Sequence, residues 1–149
     1  MSYTQLLYHI VFRTKGNKKT INEQHEKELY AYIFGYIKNK KSILYRINGT
    51  EDHIHLLIDL HPTHSLSGFI RDLKEASSKW LKQNPNFPMF EFWAEGYGAF
   101  TYSIKEKDTI INYIKNQKEH HKTVSFKEEF RVFLEENGVE IDERYFLKD

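Results

Sequence analysis

The chain contains no cysteine, which excludes disulfides, thiolate metal centres and a cysteine nucleophile. Any metal it binds must be held by nitrogen and oxygen. Neither sign of charge is in excess: 22 Lys and Arg stand against 21 Asp and Glu, a net charge of +1. A uniformly basic nucleic-acid binder is therefore ruled out, and local patches matter more than the sum. No apolar run approaches the roughly 18 residues that a membrane helix needs, and the start Met1-Ser2-Tyr3-Thr4-Gln5 lacks the charged and apolar regions of a signal peptide. The expectation is a cytoplasmic protein with no membrane partner. At 149 residues the chain is one domain's worth, too short for an eight-unit strand-helix barrel. Aromatic residues make up 15% of it, enough for an ordered core with rings left to stack on bases.

Periodicity suggests the order β-α-β-β-α-β followed by helices. Tyr3 to Arg13 is rich in β-branched and aromatic residues and reads as a strand. Asn22 to Asn39 reads as a helix with Leu29, Ile33 and Ile37 on one face. Ser42 to Asn48 and His53 to Leu60 form a hairpin around Gly49-Thr50-Glu51-Asp52. Leu66, Phe69, Ile70, Leu73, Ser77 and Trp80 trace a helical stripe, and Phe90 to Ser103 is strand-like but interrupted at Gly96-Tyr97-Gly98. Ser103 to Glu106 has capping-box spacing and opens a helix expected to run to about His121; a last helix, Phe126 to Asn137, ends at Gly138. The fold class is α+β: a ferredoxin-like antiparallel sheet with two helices on one face, a further helix bearing Tyr113, and the other sheet face left for function. Residues 1–149 make a single domain, with a core over about 3–121 and a helical tail over about 122–149.

Within the apolar run Ile54, Leu56, Leu57, Ile58 and Leu60 stands His53-Ile54-His55. Strand alternation sends both imidazoles to one side, where two neutral rings can share a divalent ion. A half-exposed strand produces the same triplet without a metal, so the motif needs company. Tyr113 and Gln117, four apart on the predicted helix, project together. The Gln117 amide oxygen suits a hard or borderline cation, and the Tyr113 phenol is a nucleophile once its proton leaves. Two histidines, an amide and a tyrosine are the parts of a metal-assisted phosphodiester transfer through a tyrosyl intermediate.

Asp52-His53-Ile54-His55-Leu56-Leu57-Ile58, then Trp93-x-x-Gly96-Tyr97-Gly98-Ala99-Phe100, then Tyr113-Ile114-x-x-Gln117-x-x-His120-His121 resembles the small single-tyrosine HUH transposases of bacterial insertion sequences, REP-associated tyrosine transposases among them. The likeness runs from Tyr3 to about Phe130. It implies that His53, His55 and Gln117 bind Mg²⁺ or Mn²⁺ and that Tyr113 is the nucleophile. It implies attack on single-stranded DNA carrying subterminal hairpins, leaving a 5′-phosphotyrosine and a free 3′-OH that later reverses the linkage. It also implies a homodimer with composite active sites. Relatives carry glycine-containing hinges before the tyrosine helix, whereas Ile104 to Asp108 is charged and glycine-free.

Arg71, Lys74, Lys79 and Lys82 on the second helix, and Arg13, Lys15, Lys18 and Lys19 after the first strand, are candidates for following a DNA backbone; a solvated basic face is the plainer account of each. His120 and His121 share the side of Tyr113 and could move a proton or add a ligand, or simply hydrogen-bond. His9 reads as a satisfied sheet histidine, and Trp80 and Trp93 as core. An alternative function is a domesticated or inactive relative that holds a DNA or RNA hairpin without cutting it; a nicking enzyme for replication or conjugation is a third, argued against by the short chain.

Overall fold

A computed structural model describes residues 2–148. Four strands, β1 (Leu7–Arg13), β2 (Ile43–Gly49), β3 (His53–Asp59) and β4 (Gly98–Thr101), form one antiparallel sheet in the order β2-β3-β1-β4. Between them run α1 (Glu26–Asn39) and α2 (Leu66–Gln83), and after them come α3 (Lys107–Lys115), α4 (Gln117–His120) and α5 (Phe126–Glu136). The ferredoxin-like α+β arrangement read from the sequence is what the chain adopts.

Alternation along the two central strands divides the molecule. Ile10 and Phe12 of β1 and Ile54, Leu56 and Ile58 of β3 point to one side, where Leu29, Ile33 and Ile37 of α1 and Phe69, Ile70 and Leu73 of α2 complete the main core. Trp93 joins it, donating its indole N–H to Ser77 Oγ at 3.0 Å. His9, Val11, His53, His55 and Leu57 face the other way. Helix α2 starts where Ser65 Oγ accepts the Gly68 N–H at 3.1 Å, as an N-cap serine should.

Two expectations need correcting. The strand-like stretch from Phe90 pairs as a strand only over β4, because the segment before it bends through Gly96 at φ 79° and meets β1 by a single bridge between Thr14 and Trp93. The helix expected from Ser103 to His121 breaks at Asn116, so that Tyr113 lies on α3 and Gln117 opens α4. Asn48 of β2 accounts for the break: its Nδ2 donates to the carbonyls of Ile114 and Lys115, both at 3.1 Å, occupying acceptors of the last α3 turn. Its Oδ1 meanwhile accepts Lys118 Nζ of α4 at 2.9 Å.

The second sheet face, expected to be open for function, is covered by α3, α4 and α5. Helix α5 comes close enough that a Cβ at Gly98 would lie 2.5 Å from a ring carbon of Phe130, so a larger residue there would displace that ring. The region expected to be a helical tail is thus part of the packed domain.

Candidate active site

His53 and His55 leave β3 on the covered face and are fully buried. Each ring is held from behind. The His53 Nδ1–H donates to Asp52 Oδ1 at 2.7 Å, and Asp52 in turn accepts Thr50 Oγ1 at 2.8 Å and Asn17 Nδ2 at 3.2 Å. Burial raises the Asp52 carboxyl, but the His53 ring and its other donors outweigh that and bring it down to about 2. A carboxylate behind an imidazole fixes which nitrogen keeps its lone pair. In the neutral ring that is Nε2, which faces Gln117 Oε1 at 3.2 Å. Two acceptors facing each other at that distance are reconciled by a shared cation or a proton, so these donors fit a metal.

His55 is backed by His9, whose Nε2 lies 2.8 Å from His55 Nδ1 across the neighbouring strand. Burial, then the charge His55 would carry, pushes His9 well below the usual histidine value. Burial likewise lowers His55, partly offset by Glu129, to about 4. Both rings are neutral at pH 7, the form that binds metals.

The group at the centre is one that periodicity did not bring forward. Glu129 of α5 is 4% exposed. Its Oε1 lies 3.0 Å from His55 Nε2, 3.2 Å from His121 Nε2 and 3.6 Å from His53 Nε2. Its Oε2 accepts the Gln117 amide N–H at 2.9 Å and the Tyr113 hydroxyl. Burial opposes ionisation of Glu129, but His121, His55 and Tyr113 outweigh it and hold the carboxyl far below the ordinary range. Tyr113 responds in the opposite sense: burial, then the Glu129 charge, pushes its phenol well above the usual value. His53, His55, His121 and Glu129 form the cluster able to hold a metal ion among the described residues. The sequence did carry a signal for Glu129, which sits between Phe126, Phe130 and Phe133 on the face of α5 that packs inward.

Tyr113, Gln117, His53 and His55 thus meet within one chain. His120 is nearer the rim, its Nε2 3.4 Å from Glu129 Oε2 and its side chain 33% exposed. The basic candidates lie elsewhere. Arg13 is buried and bonded to Asn17 Oδ1 at 3.0 Å. Lys74 Nζ donates to the carbonyls of Ala94 and Gly96 at 2.8 and 2.5 Å, so it braces the bend before β4. Lys15 and Lys82 come together over the half-exposed ring of Phe92, at 5.7 and 3.7 Å from its centre, which merges the two basic groups into one patch. Lys18 pairs with Glu91, Arg71 with Asp72, and Lys19 and Lys79 are exposed.

The family model for IS200-like transposases matches residues 2–117. The chain is 30% identical over 120 residues to the transposase for insertion sequence element IS200 of Salmonella typhimurium strain LT2, covering 77% of this chain and 78% of that one; the Salmonella typhi protein matches to the same extent. Among solved structures it is similar to a "putative transposase" from Deinococcus radiodurans R1, with a TM-score of 0.58 and 25% identity over 78% of this chain and 93% of that one. It also shares its fold with a REP-associated tyrosine transposase bound to a REP hairpin, at a TM-score of 0.62 and 12% identity over 83% and 73% of the two chains.

Proposed function

Because the chain belongs to the IS200-like transposase family, we propose that it cuts and rejoins single-stranded DNA at hairpin-marked element ends, with Tyr113 as the nucleophile. The observation that carries this reading is the convergence of Tyr113 and Gln117 with His53 and His55 on one buried point.

The Tyr113 oxygen gives up its proton as it forms a bond to phosphorus, the bond from phosphorus to the 3′ oxygen breaks, and that oxygen takes up a proton, so that a 5′-phosphotyrosine and a free 3′-OH result. Attack by the 3′-OH of another cleaved end reverses the step, so no nucleotide is hydrolysed. His53 Nε2, His55 Nε2 and Gln117 Oε1 would hold Mg²⁺ or Mn²⁺, which polarises a phosphate when bound. Asp52 and His9 fix the rings of the two histidines from behind. Phe126 and Phe133 pack against those rings and keep bulk water out. The phenol is kept protonated at rest by burial and by Glu129, so the chain does not present a free phenolate. The hairpin held by the REP-associated relative supports a hairpin as the substrate class here, and the patch around Phe92 offers cations and a ring to its backbone and bases. The same reading makes the protein a cytoplasmic homodimer, in which a composite site would require the Tyr113 helix, here seated against the histidines of its own chain, to exchange between protomers; among the described residues no helix is long and apolar enough to cross a membrane.

The test is incubation with labelled single-stranded hairpin DNA and Mn²⁺, followed by a denaturing gel. A covalent protein-DNA adduct that disappears in Tyr113→Phe, with hairpin binding kept, is the expected result. An undiminished adduct in that variant would overturn the role of Tyr113. Binding with no adduct in the unmutated chain would instead favour the hairpin-holding module.

A further inference from the structure

His53, His55 and Gln117 together offer three cation donors, yet two more groups point at the same place. We propose that Glu129 of α5 and His121 after α4 are themselves ligands of the cation, closing its seat in the DNA-free protein; this rests on the reading of the site as a cation site.

Geometry is the first argument. A cation with bonds of about 2.1 Å sets adjacent donors about 3.0 Å apart in an octahedron and about 3.4 Å apart in a tetrahedron. Around Glu129 Oε1 the separations are 3.0 Å to His55 Nε2, 3.2 Å to His121 Nε2 and 3.6 Å to His53 Nε2, and His53 Nε2 lies 3.2 Å from Gln117 Oε1. The first two and the last fall within that range, and the third is slightly longer. The ligand atoms of His53, His55, His121 and Glu129 all lie within 4.8 Å of one another, close to the span of about 4.2 Å that two opposite bonds of that length cover.

The second argument is the state of His121. Its Nδ1 donates to the Val124 carbonyl at 2.7 Å, which leaves Nε2 as the free nitrogen of the neutral ring. That side chain is only 9% exposed, and its Nε2 is aimed at Glu129 Oε1 without the alignment of a hydrogen bond. A nitrogen lone pair 3.2 Å from a buried carboxylate oxygen calls for a positive charge between them, which a cation or a proton supplies. Imidazole, amide and carboxylate together suit Mn²⁺ or a similar divalent ion.

The test uses the full chain, free of DNA, titrated with Mn²⁺ alone while the electron paramagnetic resonance signal of the free ion is followed. Glu129→Gln, which keeps shape and removes charge, and His121→Gln should each weaken Mn²⁺ binding at least tenfold, with His53→Ala as the reference loss. Unchanged affinity in Glu129→Gln or His121→Gln, with binding lost in His53→Ala, would overturn this proposal and leave the proposed function standing. Unchanged affinity in all three would remove the cation site altogether. Because a variant can fail to fold, the unmutated chain provides a second reading: anomalous diffraction from a Mn²⁺-soaked crystal should place the ion within bonding distance of a Glu129 oxygen. An ion bound by His53 and His55 but remote from Glu129 would also overturn it.

Discussion

The two faces of the sheet are made by the same strands and do opposite work. On the side of α1 and α2, Ile54, Leu56 and Ile58 belong to the main apolar core and are entirely buried. On the side of α3 to α5, His53 and His55 are equally buried, but what they meet is a carboxylate, an amide and a phenol. Burying apolar surface stabilises at about 25 cal/mol per Å², whereas burying ionisable groups costs free energy unless each finds a partner. The first face therefore carries the larger apolar core, and the second surrounds its reactive groups with smaller apolar clusters, among them Leu57 with Ile114 and Val11 with Phe126.

The sharpest way to break this comparison is on the polar face. His53→Ala should lower adduct formation about a thousandfold, on the order of 4 kcal/mol of barrier, while circular dichroism shows a folded chain; cleavage within about tenfold of the unmutated rate would refute the division. Leu56→Ala, one residue from His55 but on the other face, should do the reverse. A loss of about 3 kcal/mol in denaturant unfolding is expected, with adduct yield per folded molecule preserved, and a selective loss of cleavage would show that the faces are not separable.

Acid should distinguish the faces as well. The folded His55 titrates at about 4 against about 6.5 unfolded, and His9 is lowered in the same direction. Between those values the unfolded state binds more protons, so stability is full above about pH 6.5 and falls as pH drops toward 4. In chelator, His55 alone should cost about 2 to 3 kcal/mol by pH 4.5, read as a falling urea midpoint; a midpoint flat from pH 7 to 4.5 would contradict neutral burial of these rings. Asp52, lowered to about 2, contributes stability that is full above its unfolded value of about 3.9 and is lost only as pH falls from there toward 2.

The smallest effect lies at the rim of the molecule. Replacing Lys15, Lys18 and Lys19 with glutamine should flatten the salt dependence of hairpin binding, by about 0.7 in log-log slope for each phosphate no longer neutralised, measured by fluorescence anisotropy. An unchanged slope would take this group out of the DNA interface.

How much of this was legible in the sequence follows from the range of each signal. Alternation in His53 to Ile58 and the four-residue rhythm of Leu29, Ile33 and Ile37 are local, and they yield the strands, the first helix and the direction of both histidines. The four-residue spacing of Tyr113 and Gln117 paired them as partners, and the resemblance gave the pair its roles. Glu129 was not seen because its role depends on where α5 docks, which Gly98 and Phe130 decide across a long stretch of chain. Asp52 and His9 were visible as residues but not as supports, since each acts through a contact set by strand register. The break at Asn116 escaped for a similar reason: its cause, Asn48, lies on a strand far earlier in the chain.

Asn48 gives the break a further meaning. One end of its side-chain amide holds the last turn of α3 and the other holds Lys118 of α4, so the segments carrying Tyr113 and Gln117 are moored separately to the sheet edge. A single residue of β2 therefore sets the placement of nucleophile and amide ligand alike, so that a change at Asn48 would disturb both while leaving each of them unaltered in sequence.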